Sequence, residues 1–295
     1  MTTTDPMEKD LIISENLKAN PFGSRFYEHY VHGELKTPSF PDVALKMRKA
    51  IQQDCEMAEL VKIINMDPVI SGKLIQVVNS PFYMPMTPIT NTLNAINRLG
   101  RKTTRDLVVT FSLKNLIRSE KPIIKKLIQQ SWYQSIKVSS MAYTLAKLTK
   151  KVDSDEALLA GLLHNIGVLP ILTFADSLSE DTYQPNDITL CINEVQGQIG
   201  SIILEQWEFP ENLKNVPSQT SEWLSNTGEN LNLNDIVILA KYHCFLGTPG
   251  ADLPSIANMP AYQKLGDQTL TPEMSLQILQ DAKQQVADTL NFFSQ

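Results

Sequence analysis

The sequence predicts an all-α protein. Twelve glycines against ten methionines, scarce Val/Thr/Tyr alternation, and prolines placed where helices would start or stop argue against a sheet with many tight turns. A chain of 295 residues with 42% hydrophobic and 20% charged residues can bury one large core or two smaller ones.

The elements follow in order. Phe22, Phe26, Tyr27 and Tyr30 recur at near-helical spacing and predict a helix in an N-terminal extension, residues 1–36, that packs on the body. After Pro38 and Pro41, the stripe Val43, Met47, Ala50 and Ile51 predicts a second helix. Met57 to Asn65 predicts a third, and Asp67-Pro68 opens a fourth that runs to Asn79-Ser80-Pro81. Asp can cap the first free amides, and proline at the first helical position loses no hydrogen bond. Pro81 to Pro88 is an apolar loop holding Phe82, Tyr83, Met84 and Met86. Ile89 to Leu99 is read as a helix closed by Gly100, and Thr103 to Ile117 as the next. Pro122 marks a boundary between lobes at 37–121 and 122–250. Helices are expected near 123–150, 154–165, 187–206 and 234–246, then a loop over 248–272 and a closing helix from Met274 to Phe293.

Met1 to Asp10 has no apolar core and does not resemble a secretory signal, and no apolar run is read as approaching the ~18 residues of a membrane span. The expected compartment is the cytoplasm. Cys55, Cys191 and Cys244 fit neither a disulfide framework nor a paired zinc motif and are read as small buried residues.

The net charge of −6 conceals an asymmetry. Residues 98–151 hold thirteen Lys and Arg against Asp106 and Glu120, a net of +11, so the remainder sums to −17. Arg98, Arg101, Lys102 and Arg105 have the spacing of one helix face and could meet an acidic protein patch or phosphates; a merely solvated face is the plainer reading.

The sharpest motif is the apolar run Glu156 to Leu163 ending in His164-Asn165-Ile166-Gly167. With Phe40-Pro41, Ala58-Glu59-Leu60, Asp67-Pro68, Val78-Asn79-Ser80, Phe82-Tyr83, Ala95-Ile96 and Leu99-Gly100 before it, and Glu194 to Trp207 with Pro210 after it, the ordered set resembles bacterial HDOD domains over about residues 37–250. The resemblance implies a helical lobe joined to an HD-like lobe, and regulatory roles in bacterial signalling, usually without demonstrated hydrolysis.

The resemblance also locates a metal site, and this chain departs from it. Where catalytic HD relatives carry a first histidine, two residues after Trp132, there is Gln134; where they carry His-Asp there is His164-Asn165; the later helical aspartate falls at Lys241. Assisting histidines would lie near Gln196 and Thr220-Ser221. A phosphohydrolase metal needs several anionic or imidazole ligands and an open position for water, and two amides and an ammonium supply neither charge nor affinity. Lys241 could replace the ion, pairing with Asn165 Oδ1 or an acidic neighbour; equally, it could face solvent. His164 alone reads more simply as a hydrogen-bonded core residue.

The expected function is therefore a non-catalytic signalling module, without cofactor or metal, that binds a protein partner or a small ligand in the vestigial cavity. Phe82, Tyr83, Met84, Arg98, Arg101, Lys102 and Arg105 are the candidate partner surface, although the apolar loop could instead seal the junction of the lobes. One alternative is a metal-dependent phosphohydrolase recruiting Asp235, Glu194 or Asp153 toward His164. Another is a nucleic-acid-binding regulator using helices 57–79 and the basic stretch. Against that reading, the second helix of the pair offers only Lys73 and Gln76 as readers among apolar residues.

Overall fold

The computed structural model describes residues 11–80, 83, 85, 87–114, 116, 118–246, 248 and 252–266. Among the described residues the regular elements are all helices, as composition predicts. Those residues divide into two units, one formed by 39–116 and the other by 11–38 together with 118–266. The expected closing helix from Met274 to Phe293, and Met1 to Asp10, lie outside them.

The chain opens with α1 (Glu15–Ala19) and α2 (Pro21–Val31). Asn20 separates them, its side chain accepting from the Phe22 and Gly23 amides at 3.0 Å each. The expected aromatic face is real: the Phe22 ring centroid lies 5.4 Å from that of Phe174, and Phe26 lies 5.5 Å from Phe174.

The unit of residues 39–116 holds α3 (Asp42–Gln52), α4 (Met57–Asn65), α5 (Pro68–Val78), α6 (Thr92–Leu99) and α7 (Arg101–Lys114). Asp67 caps α5 as its sequence position suggests, accepting from the amides of Val69 at 2.9 Å and Ile70 at 3.1 Å. Met47, Leu60, Ile64, Leu74, Val78, Ile96 and Phe111 are fully buried and form its core. Gly100, at φ +82°, ends α6, and α7 starts at the next residue. Arg98 therefore lies on α6 while Arg101, Lys102 and Arg105 lie on α7, so the single basic helix face expected from their spacing is broken at Gly100.

The second unit is built on α8 (Pro122–Thr149), which packs against α9 (Ser154–Leu163) and against the helix Leu233–Phe245. Then come α10 (Val168–Ser177), α11 (Pro185–Gln206), α12 (Glu211–Lys214), α13 (Val216–Gln219), α14 (Leu233–Phe245) and α15 (Pro260–Gln263). The helix α10 and the short α12, α13 and α15 were not foreseen. Two glycines set the approach of these helices. A Cβ on Gly161 would lie 2.6 Å from Ser139 Cα, so only glycine lets α9 press this closely on α8. A Cβ on Gly167 would lie 2.0 Å from the Gln196 carbonyl oxygen, so the final Gly of the His-Asn-Ile-Gly motif exists to admit the backbone of α11.

The residues from Ile12 to Asn20 run along α11. Gln198 donates to the Ile12 carbonyl at 2.8 Å and accepts from its amide at 3.0 Å; Ser14 Oγ donates to Glu194 at 2.8 Å, and Asn20 to Asp187 at 2.7 Å. One expectation is corrected. The stretch Ser154–Ser177 is long and apolar enough on composition to cross a membrane. In the fold it is two helices, α9 and α10, joined by turns at 164–167, and 83% of its apolar window is buried inside the protein.

Candidate functional site

Three helices converge on a cavity of about 430 Å³ in the second unit. Helix α8 offers Leu127, Gln130, Ser131 and Gln134, and α11 offers Thr189, Ile192, Asn193 and Gln196. Both sets follow i, i+3, i+4, i+7 spacing and therefore occupy one face of each helix. Helix α14 adds Lys241 and Phe245, and the segment after α13 adds Ser221 and Trp223. Gln130, Thr189, Asn193 and Ser221 are exposed and form the rim, whereas Asn165 and Lys241 are buried and form the floor. The structure thus brings Gln134, Asn165 and Lys241 together, with Gln196 and Ser221 on the same wall.

His164 sits behind that floor, 4% exposed. Its Nδ1 is 2.7 Å from the Gly161 carbonyl oxygen. A carbonyl only accepts, so Nδ1 carries the proton and Nε2 keeps a lone pair. That Nε2 is buried and has no hydrogen-bond partner among the described residues. Burial, and then the positive charge of Lys241, pull the imidazole pKa down to about 3. His164 is a neutral core residue held by its own helix.

Asn165 is turned toward α8. Its Oδ1 accepts from Ser135 Oγ at 2.6 Å, and its Nδ2 donates to the Ser131 carbonyl at 3.1 Å and to Ser131 Oγ at 3.2 Å. Both atoms of the amide are engaged. An aspartate here would place a carboxylate oxygen against the Ser131 carbonyl, where only a donor fits.

Lys241 is 8% exposed, which rules out the solvent-facing alternative. Its Nζ donates to the Thr220 carbonyl and lies 5.0 Å from the centroid of the Trp223 ring, an arrangement in which the ring face attracts the cation. The pairing expected with Asn165 Oδ1 is not made: the ammonium goes to the Thr220 carbonyl, and Asn165 Oδ1 accepts from Ser135. Burial pulls the ammonium pKa down to about 8, with Glu222 acting weakly in the opposite direction.

These residues do not fit the divalent metal that HD relatives would imply. The wall of the cavity carries no Asp or Glu, and no group of three or more His, Cys, Asp or Glu among the described residues could hold a metal ion. His164 Nε2 is the sole lone pair of the expected set with ligand character, and it is buried off the cavity wall, where the charged group is the Lys241 ammonium. The acids that a rearranged site would need are engaged elsewhere. Asp235 pairs with Lys264 at 2.9 and 3.1 Å, Glu194 holds Ser14, and Asp153 caps α9 through the Asp155 and Glu156 amides.

The candidate partner surface lies in the other unit. Arg98 donates to the Tyr83 carbonyl at 2.8 Å, Arg101 pairs with Asp54 at 2.7 Å and donates to the Cys55 carbonyl, and Arg105 pairs with the buried Asp106 at 2.6 Å. Lys102 is also engaged within the protein. These cations bind their own fold first, which weakens the phosphate-gripping reading. Tyr83 is half-buried, and Phe82 and Met84 lie outside the described residues. On α5, Ile70, Leu74, Val77 and Val78 face the core and the Lys73 ammonium lies 5.9 Å from the Phe111 ring centroid, so this is a packing helix rather than a groove reader.

The HDOD domain family matches residues 37–222, more than half of the chain, including Gln134, His164 and Asn165. The chain belongs to the HDOD family. Three solved structures share the fold. A presumed metal-dependent phosphohydrolase from Shewanella amazonensis is 22% identical, with a TM-score of 0.72 over 90% of this chain and 99% of that one. An HDOD domain protein of unknown function from Geobacter sulfurreducens is 17% identical, with a TM-score of 0.60 over 90% and 93%. A presumed signal transduction protein from Marinobacter aquaeolei is 16% identical, with a TM-score of 0.64 over 99% of this chain and 69% of that one. No curated protein matches the chain significantly.

Sequence reasoning missed Ser131 and Ser135, which lock Asn165, and Trp223, which receives Lys241. The signal for the α8 wall was present as polar residues at helical spacing, but neutral amides and hydroxyls carry no chemistry conspicuous enough to single them out.

Proposed function

We propose that this HDOD protein is a non-catalytic regulatory module of bacterial signalling, acting in the cytoplasm by binding a protein partner or a small ligand. The observation that carries this reading is the state of Asn165. Its amide is committed to Ser131 and Ser135, so the position that would supply a carboxylate to a metal instead ties α9 and the following turn to α8. Lys241 adds a positive charge to the same cavity, which opposes cation binding. The signalling context draws on the family and on the Marinobacter neighbour. A hydrolase reading draws on the Shewanella neighbour and on the lone pair of His164, but it lacks anionic ligands within reach.

The test is hydrolysis of bis(p-nitrophenyl) phosphate, p-nitrophenyl phosphate and nucleoside phosphates by the full chain, with Mn²⁺, Fe²⁺, Co²⁺, Ni²⁺ or Zn²⁺ added. The expected result is no rate above that of the metal alone. Turnover that disappears in His164→Ala would overturn the proposal.

A further inference from the structure

Lys241 is a buried cation surrounded by neutral partners. Its Nζ meets the Thr220 carbonyl and the Trp223 ring, and it forms no ion pair among the described residues. Removing an ammonium from water is costly unless an opposite charge compensates it. The cavity that Lys241 floors has no Asp or Glu on its wall. Of the five side-chain amides on it, that of Asn165 is engaged, and those of Gln130, Gln134, Asn193 and Gln196 make no hydrogen bond among the described residues. Each amide offers both donors and an acceptor. The cavity therefore presents one positive charge at its base and unspent, charge-free hydrogen-bonding groups above it.

We infer that this cavity binds a small organic anion, with its carboxylate or phosphate against Lys241 and its neutral polar groups on the side-chain amides of α8 and α11. A cationic ligand would meet an ammonium with no carboxylate on the cavity wall, Glu222 beside it being the one acidic group among the described residues that acts on Lys241. A wholly apolar ligand would leave the amides unsatisfied. The volume of about 430 Å³ lies in the range of sites that enclose metabolite-sized molecules. The ammonium is strongest as an anchor when it is protonated, and its pKa of about 8 leaves it mostly charged at neutral pH. The inference deepens the ligand-binding arm of the proposed function and rests on it.

The experiment is calorimetric titration of the full chain, in low-chloride buffer at pH 7, with inorganic phosphate, succinate, adenosine 5′-monophosphate and uncharged adenosine. Binding by phosphate and the monophosphate but not succinate assigns a phosphate; binding by succinate alone assigns a carboxylate. Either result supports the inference if Lys241→Met weakens binding by about tenfold or more, the loss expected for a charge-assisted hydrogen bond. Ser221→Asp keeps the lysine and places a carboxylate on the same wall, so it should also abolish anion binding; this serves should Lys241→Met fail to fold. The inference is overturned if no anion binds the wild-type protein, if adenosine binds as well as its monophosphate, or if neither variant changes the affinity. No anion binding together with no hydrolysis leaves the regulatory reading standing on a protein partner, whereas metal-dependent hydrolysis of a bound phosphate ester defeats the regulatory reading itself.

Discussion

The side-chain nitrogen of Asn165 donates to the main-chain carbonyl of Ser131 across 3.1 Å, joining the turn after α9 to the middle of α8. This bond explains why an amide, not a carboxylate, occupies the second position of the His-Asn pair. Asn165→Asp is nearly isosteric but replaces the donor by an oxygen facing an oxygen in a site 6% exposed. The expected loss is at least about 1–3 kcal/mol at pH 7, read from urea midpoints. The loss should shrink as the pH falls, because a protonated carboxyl regains a donor. A variant as stable as the wild type at neutral pH would show that the bond does not matter.

Lys241 has the opposite problem, a charge with too little compensation. Its folded pKa, about 8, lies below the ordinary 10.5, so between those values the unfolded chain binds more protons and stability rises with pH. The penalty is fully present below about pH 8. The other ionisable groups acting in this interaction are Glu222 and His164. The stability of Lys241→Met relative to wild type should therefore be greatest near pH 7 and decline between about pH 8 and 10.5. A difference that does not change across that window, in parallel denaturation series, would contradict the buried ammonium.

His164 should stay neutral and carry its proton on Nδ1 throughout the range from pH 8 to 5, as read from the ¹⁵N shifts of its ring. Its folded pKa of about 3 lies below the ordinary 6.5, so the folded form binds fewer protons in that interval and stability is lost as the pH falls through it. Burial lowers the pKa of His243 as well, and its Nδ1 is tied to the Leu239 carbonyl at 2.7 Å, so it adds acid sensitivity of the same sign. A titration midpoint near 6.5 for His164 would mean that water reaches Nε2.

Gly167→Ala should be among the most damaging single-methyl additions in the protein. The new Cβ would meet backbone at Gln196 and Gly200, which cannot rotate away. Over-packing of this kind costs about 1–3 kcal/mol and sometimes more. A thermal midpoint matching the wild type would mean that α11 can retreat from α10 freely.

Much of the helical order was legible because ends are written locally. Asp67-Pro68 and Gly100 punctuate their helices through their own side chains or lack of one, and the helix Met57–Asn65 has the bounds read from its sequence. Helix α10 was missed because Val168, Pro170, Ile171, Leu172, Phe174 and Ala175 are all buried, and its polar residues Thr173, Asp176 and Ser177 are confined to the last half, too few to reveal the period. At the site, Gln134, Asn165 and Lys241, the positions picked from the resemblance, line one cavity, and His164 lies off its wall. The partners were not legible. Ser131 lies 34 residues from Asn165, and Trp223 stands in a segment without helical pattern. Depth was not legible either: a lysine in the last turns of a helix reads alike whether its head reaches water or a tryptophan ring.

The central claim, that this HDOD cavity has ceased to be a metal site, is tested most directly by elemental analysis for Mn, Fe, Co, Ni and Zn in folded protein purified without chelator or metal-affinity resin. Substoichiometric metal that is unchanged in His164→Ala is the predicted result. About one metal ion per chain, lost in that variant, would contradict it.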